Sequence, residues 1–261
     1  MLTFKEVLAS LEPDDGVYRT EAPEGWGQGR TLYGGMTAAL MTEVARLAGP
    51  DLAPLRSGLF TFIGPASGLL SIRPRLVRQG KSATVISVEM AAGEAPCAQA
   101  FLTFGAPRAS SLVHDITRAP ACTSPQDSEA FIPPGAPRPE FHQHFDLRKA
   151  GGLRPFEGGA RAEYLVWGRH LEGGESVSEP GLVALADALP PAALGLATER
   201  GAISTMTWMI DIVRQAQAED WRLLRSLSES ASDGYSQQAM EVYDADGRRL
   251  AVGRQTVALF M

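Results

Sequence analysis

Cysteine is almost missing from this chain: two residues in 261, Cys97 and Cys122, in unrelated surroundings. That excludes a disulfide-stapled scaffold and a thiolate metal site, both of which need clustered cysteines. Histidine is scarce too, at four. No Gly-x-Ser-x-Gly elbow occurs, so a Ser-His-Asp hydrolase pattern has no support. Basic clusters are lacking: 24 Lys and Arg stand against 30 Asp and Glu, a formal charge of -6, which argues against a nucleic-acid partner. No window approaches the roughly eighteen uninterrupted apolar residues of a membrane span. The opening stretch MLTFKEVLASLEPDDG lacks the apolar core of a signal peptide, and a cytoplasmic location is expected.

What is present is an ordinary globular composition, 44% hydrophobic and 21% charged, long enough for one large core or two smaller ones. Residues 107–139, PRASSLVHDITRAPACTSPQDSEAFIPPGAPRP, break every regular period and read as a linker. It divides the chain into units at 1–106 and 140–261. The first unit reads as a helix near 3–10, a strand near 16–21, a glycine-led helix from Gly34, and strands near 56–63, 69–79, 82–92 and 96–105. The second reads as strands near 141–147 and 160–170, a helix from 180 to 197, and strands near 203–213, 221–232, 235–244 and 249–260. The order is the same in both.

The likeness reaches individual residues. RQGKSATVISVEMAAGEAPCAQAFLTF overlays SDGYSQQAMEVYDADGRRLAVGRQTVALF: each has a Gly-x-Ser turn, a strand, a glycine-containing hairpin and a last strand with Gln five residues before Phe. Gln99 then matches Gln255, and Phe104 matches Phe260. A tandem α+β fold follows, each copy a helix wrapped by an antiparallel sheet. One copy can stand in for a dimer partner of the other, which places a binding site between them.

In RTLYGGMTAALMTEVARL, residues 30–47, two glycines stand at the mouth of a good helix, although each interior glycine costs about 1 kcal/mol against alanine. Gly34 and Gly35 can serve a tight entry of the helix against the sheet, or contact with a ligand. The segment Leu32 to Leu47, with Tyr33-Gly34-Gly35 opening a long apolar helix inside a sheet, resembles the hotdog fold. The duplicated arrangement resembles the double-hotdog acyl-CoA thioesterases of type II, across nearly the whole chain except residues 107–139.

That resemblance implies hydrolysis of an acyl-CoA thioester by activated water, with no metal and no organic cofactor. It implies an Asp on the second central helix, a Thr on the next strand and a Gln on the last. Here these are Asp187 in GLVALADALPP, Thr205 in AISTMTWMID and Gln255 in VGRQTVALF. Asp187 would take the proton of the water, with partial desolvation raising its pKa toward a useful range. Thr205 and Gln255 would hold the water or the carboxylate. Gly34 and Gly35 would let the thioester oxygen reach backbone N–H groups at a helix start, where negative charge is favoured. The resemblance also implies a dimer or larger homo-oligomer. A non-catalytic acyl-CoA or acyl-carrier binding protein is the alternative from another class, since binding does not require the polar trio to converge.

Several alternatives stay open in the sequence. Ser204 or Thr207 replaces Thr205 if the strand register slips, and Glu43 is a second candidate acid if it turns inward. FHQHF at 141–145 puts His142 and His144 on one strand face at a spacing that could bind a metal, but no third His, Cys or carboxylate motif accompanies them, which favours a surface or interface pair. GWGQGR at 25–30 has neither the P-loop ending nor the dinucleotide fingerprint and reads as a flexible loop at the site entrance. Arg30, Arg56, Arg75, Arg78 and Lys81 are all candidates for the phosphates of CoA.

Overall fold

The computed structural model describes residues 1–49, 51–173, 175–217 and 221–261. The first part of the chain runs α1 (Phe4–Ala9), β1 (Glu12–Asp14), β2 (Val17–Glu21), β3 (Gly27–Gln28), β4 (Thr31–Leu32), α2 (Gly34–Leu47), β5 (Leu55–Phe62), β6 (Leu69–Gln79), β7 (Ala83–Ala92) and β8 (Ala95–Gly105). The remainder runs β9 (Glu129–Ala130), β10 (Phe145–Gly152), β11 (Glu163–His170), α3 (Glu179–Ala186), β12 (Ala202–Ile212), β13 (Arg222–Ser232), β14 (Tyr235–Tyr243) and β15 (Arg249–Phe260). Among the described residues no helix is long and apolar enough to cross a membrane.

The long strands form one antiparallel sheet with the central order β6-β7-β8-β5-β12-β15-β14-β13. Read outward from the middle, each half repeats one order: first strand, fourth, third, second. The duplication seen in the sequence is therefore a duplication of topology. The β13–β14 turn is Asp233-Gly234 with both φ positive, at 52° and 80°, as a two-residue hairpin requires. The sheet wraps α2 and α3, both buried along most of their length. The helices lie antiparallel. The start of α2 meets the end of α3 through Tyr33 Oη, which donates to the Ala184 carbonyl. At the opposite end, Arg46 Nε donates to Glu179 Oε2 at 2.8 Å.

The inward pattern changes one expectation. Phe60 and Trp208 face each other across the β5–β12 seam, both buried, with ring centroids 5.5 Å apart. Ala100 lies opposite Phe60, and Gln255 lies opposite Trp208. The counterpart of Gln255 is thus Ala100, not Gln99. Gln99 sits half-buried on the other face, opposite Thr61 and Glu89, and Phe260 is exposed where Phe104 is buried. One residue of slip turns a strand side chain to the opposite face.

Three local expectations are corrected. The helix expected over 180–197 ends at Ala186, because Pro190 and Pro191 cannot continue it; Asp187 becomes its C-cap, and a separate 3₁₀ turn follows at Ala192–Gly195. The strand expected from 141 is a 3₁₀ turn over Glu140–His144 that begins after Pro139, so His142 and His144 are not a strand pair. Both are buried against backbone carbonyls: His142 Nε2 is 3.1 Å from Ala188 O, and His144 Nε2 is 3.2 Å from Gly25 O. The GWGQGR segment is a small ribbon, β3 with β4. Buried Trp26 anchors it by stacking on His144 at 3.8 Å.

Candidate active site

Asp187 stands where the chain leaves α3, and the start of α2 is directly beside it. A Cβ placed on Gly34 would lie 2.8 Å from Asp187 Oδ2. The Gly35 amide hydrogen bonds the carboxylate, using one of the helix N–H groups that have no partner inside the helix. Gln255 Nε2 donates to Asp187 Oδ1. Burial dominates these contacts and pushes the Asp187 pKa up to about 7; the bonds from Gln255 and Gly35 pull it part of the way down. The residue keeps a window to solvent through the cavities that meet at it.

Two cavities share Asp187, Ile203, Thr205 and Gln28. The first, about 370 Å³, has mostly apolar walls that include Phe131, Ile132, Pro137 and Phe141 together with Leu189 and Pro190. The second, about 620 Å³, passes Arg30, Thr31, Gly34, Phe62, Gly64 and Ser204. Thr205 lines both, whereas Thr207, beyond a register shift in β12, pairs with Thr61 and lines neither. The bulge decides which hydroxyl faces the site. Ser204 borders only the second cavity.

The structure thus brings Asp187, Gln255, Thr205, Gly34 and Gly35 to one place. It separates the roles of the glycines. Gly34 borders the second cavity. Gly35 packs against α3: a Cβ there would approach the Tyr33 hydroxyl and would sit 2.7 Å from the Ala184 carbonyl oxygen. Glu43 lines neither cavity; burial raises its pKa, and Arg46 on the next turn opposes the shift. Of the five basic candidates for CoA phosphates, Arg30 alone borders the second cavity, and Arg56 is turned toward the Gly105 carbonyl at 2.9 Å.

The matching end of the helix pair is built differently. There Glu179 accepts from Arg46 and also from the Leu55 amide at 2.6 Å, and Arg46 covers the Phe104 ring at 4.8 Å. One end of the duplicated fold carries a carboxylate with a raised pKa beside open space. The other is closed by an ion pair.

Two contributions escaped the sequence. Residues 131–139 form a wall of the first cavity, which their irregular composition does not reveal. Gln238, buried on β14, sits opposite Gln255 and donates from Nε2 to Gln255 Oε1 at 2.7 Å. The available signal was an amide at an inward position of a strand, with Ser236, Met240 and Val242 buried on the same face.

Comparison with known proteins fits this architecture. The chain matches the fold of a hot dog fold protein from Alicyclobacillus acidocaldarius, with TM-score 0.90 at 23% identity over 99% of this chain and 98% of that one. An acyl-CoA thioesterase II, TesB2, from Mycobacterium marinum matches with TM-score 0.78 at 18% identity over 98% of each chain. The fold is the hotdog fold in tandem. No curated protein matches at a significant level. Residues 22–105 match the acyl-CoA thioesterase N-terminal domain family, and residues 119–259 match the acyl-CoA thioesterase C-terminal domain family. The chain belongs to the acyl-CoA thioesterase family.

Proposed function

We propose that this chain hydrolyses an acyl-CoA thioester to a free acid and CoA, with Asp187 as general base for the attacking water. The observation that carries the reading is a buried carboxylate, held by the Gln255 amide and the Gly35 N–H where an apolar cavity meets a larger, more polar one, with burial pushing its pKa up to about 7. A base is most effective when its pKa lies near the working pH.

In this reading the acyl group fills the first cavity, and the pantetheine arm leaves through the second past Arg30. The carbonyl carbon lies at the junction. Ionised Asp187 removes a proton from water as its oxygen attacks that carbon. The carbonyl oxygen takes up negative charge near the Gly34 N–H, at the positive end of the α2 dipole. Thr205 holds the water. Collapse of the tetrahedral species breaks the C–S bond, and the proton on Asp187 goes to the departing thiolate, which restores the carboxylate.

Release of CoA thiol from a panel of short, medium, long and aromatic acyl-CoAs tests the reading. Saturable turnover on some chain length is expected. Saturable binding with no release on any of them contradicts hydrolysis and leaves the binding-protein alternative. Because the Ile132 side chain stands on the wall of the first cavity, Ile132→Trp is expected to lower kcat/KM about tenfold for the longest acyl group accepted while sparing acetyl-CoA, as steric exclusion from an apolar pocket does. An equal loss on every substrate would place the acyl group elsewhere.

A further inference from the structure

The side-chain amide of Gln255 has two ends of opposite character, and only one of them suits a carboxylate. If the amide turns over, its oxygen meets the Asp187 oxygens and the contact becomes repulsive. Nothing in Gln255 itself selects the correct orientation. Ionised Asp187 selects it, but protonated Asp187 has an O–H to donate and accommodates either orientation, so a second neighbour must hold the amide when the carboxyl is neutral.

The chain of contacts behind it begins at a group that cannot turn over. The backbone N–H of Ala192, in the 3₁₀ turn after the two prolines, is a donor only. It donates to Gln238 Oε1 at 2.9 Å. With its oxygen committed there, Gln238 presents Nε2 to Gln255 Oε1, at 2.7 Å. With that oxygen committed in turn, Gln255 presents Nε2 to Asp187 Oδ1. Each link is fixed by the one before it.

We propose that Gln238 is a positioning residue for this site: it holds Gln255 with its N–H edge toward Asp187 and so sets the protonation behaviour of the carboxylate. The proposal rests on the reading of Asp187 as the base.

A purely structural role does not account for the pair. The corresponding place in the other half of the sheet, opposite and beside Phe60, is held by Ala100 and Val88, which face each other and are fully buried. The fold closes there with apolar side chains. Gln238 is 1% exposed and Gln255 is 4% exposed, and buried amides are disfavoured unless their hydrogen bonds are met. The polar pair occurs at the end of the molecule that carries Asp187.

The effect has a sign. The Gln255 N–H bond favours the ionised form of Asp187 and lowers its pKa; a Gln255 free to present its oxygen would instead accept from protonated Asp187 and raise it. Tyr33, at the start of α2, feels the Asp187 charge, and the other charged or titratable side chains that line the two cavities at Asp187 are His142, Arg154, Glu157 and Arg200 on the first and Arg30 and Cys97 on the second. Burial raises Tyr33 well above 10, with the Asp187 charge adding to it, and burial lowers His142 to about 4. Neither titrates near 7, and a limb in that region that disappears in Asp187→Asn belongs to Asp187.

Gln238→Met removes the bonds and nearly keeps the volume. It is expected to lower kcat about tenfold at pH 7, a size consistent with loss of a buried hydrogen bond, with KM within about twofold. The acid limb of the pH profile should move alkaline by about one pH unit. In a Gln255→Leu background, Gln238→Met should change kcat less than about twofold, because the two residues act in series. A folded Gln238→Met protein with wild-type kcat and an unmoved limb overturns the proposal, as does a full additional loss in the Gln255→Leu background. If the wild type releases no CoA at all, the hydrolase reading fails separately. The Asp187 carboxyl titration followed by NMR then tests Gln238: a rise of about one pH unit in Gln238→Met supports it, and an unchanged titration refutes it.

Discussion

Asp187→Asn should lower turnover by about 10²- to 10⁴-fold, the range for loss of a positioned general base, and should make the protein more stable at pH 8. The two effects share one cause. Asn keeps an oxygen for Gln255 Nε2 to donate to, so the geometry survives while charge and basicity are lost. The stability effect follows from the raised pKa. Asp187 moves from an ordinary 3.8 to about 7 on folding, so the folded state holds a proton between these values that the unfolded chain has released. The wild type is then most stable below about pH 4, loses stability as the pH rises toward 7, and changes little from this group above that. A rise of that size corresponds to about 4 kcal/mol; the window from Asp187 to solvent reduces this to a gain of about 2 kcal/mol for the variant at alkaline pH. Melting of both proteins at pH 4 and pH 8 checks it: the curves should coincide at pH 4 and separate at pH 8. A variant less stable at both values would show that Asp187 holds the fold together.

Substituting the two glycines separately should give opposite results. Gly35→Ala forces a Cβ against the Tyr33 hydroxyl and to 2.7 Å from the Ala184 carbonyl oxygen, which is backbone and yields only if the helices part. The expected cost is about 2–3 kcal/mol, or a melting temperature lower by roughly 5–10 °C. Gly34→Ala meets Asp187 Oδ2 at 2.8 Å and the Phe62 ring at 3.6 Å, at the edge of an open cavity. It should leave stability within about 1 kcal/mol and lower kcat more than about tenfold by displacing the carboxylate. Equal melting of both variants would remove the packing role of Gly35. Full activity in Gly34→Ala would remove the site role of Gly34.

The order of helix and strands was legible because the strands keep a two-residue period and the glycine-led helix keeps its own. The residues proposed for the site were reachable only through the resemblance to the double-hotdog thioesterases, which names an Asp, a Thr and a Gln that fall here at the end of α3 (Asp187) and on the first and last of the long strands after it (Thr205 on β12, Gln255 on β15). Facing was harder to read. The β7–β8 turn has two residues, 93–94, while the β14–β15 turn has five, 244–248, so no constant offset overlays the two halves. That mismatch paired Gln99 with Gln255. For Gln237-Gln238, sequence alone does not say which amide points inward, because the answer depends on a register shift across the strand, between Ser228 and Ser230. The end of α3 is set by two prolines three and four residues beyond Asp187, a local rule available in the sequence but hidden by the apolar run AALGLA that follows. The wall formed by residues 131–139 is a tertiary contact of an irregular segment, and no periodicity encodes it.

The most direct test of the account is the pH dependence of kcat/KM for CoA release by the wild type between about pH 5 and 9, on the best acyl-CoA of the panel. This quantity reports the free enzyme's essential base. The account predicts a rise of unit slope that levels near pH 7, the value set by burial of Asp187, and residual Asp187→Asn activity that lacks this limb. Full activity maintained down to pH 5, or a limb near 7 that survives in Asp187→Asn, would contradict the assignment of Asp187 as the base.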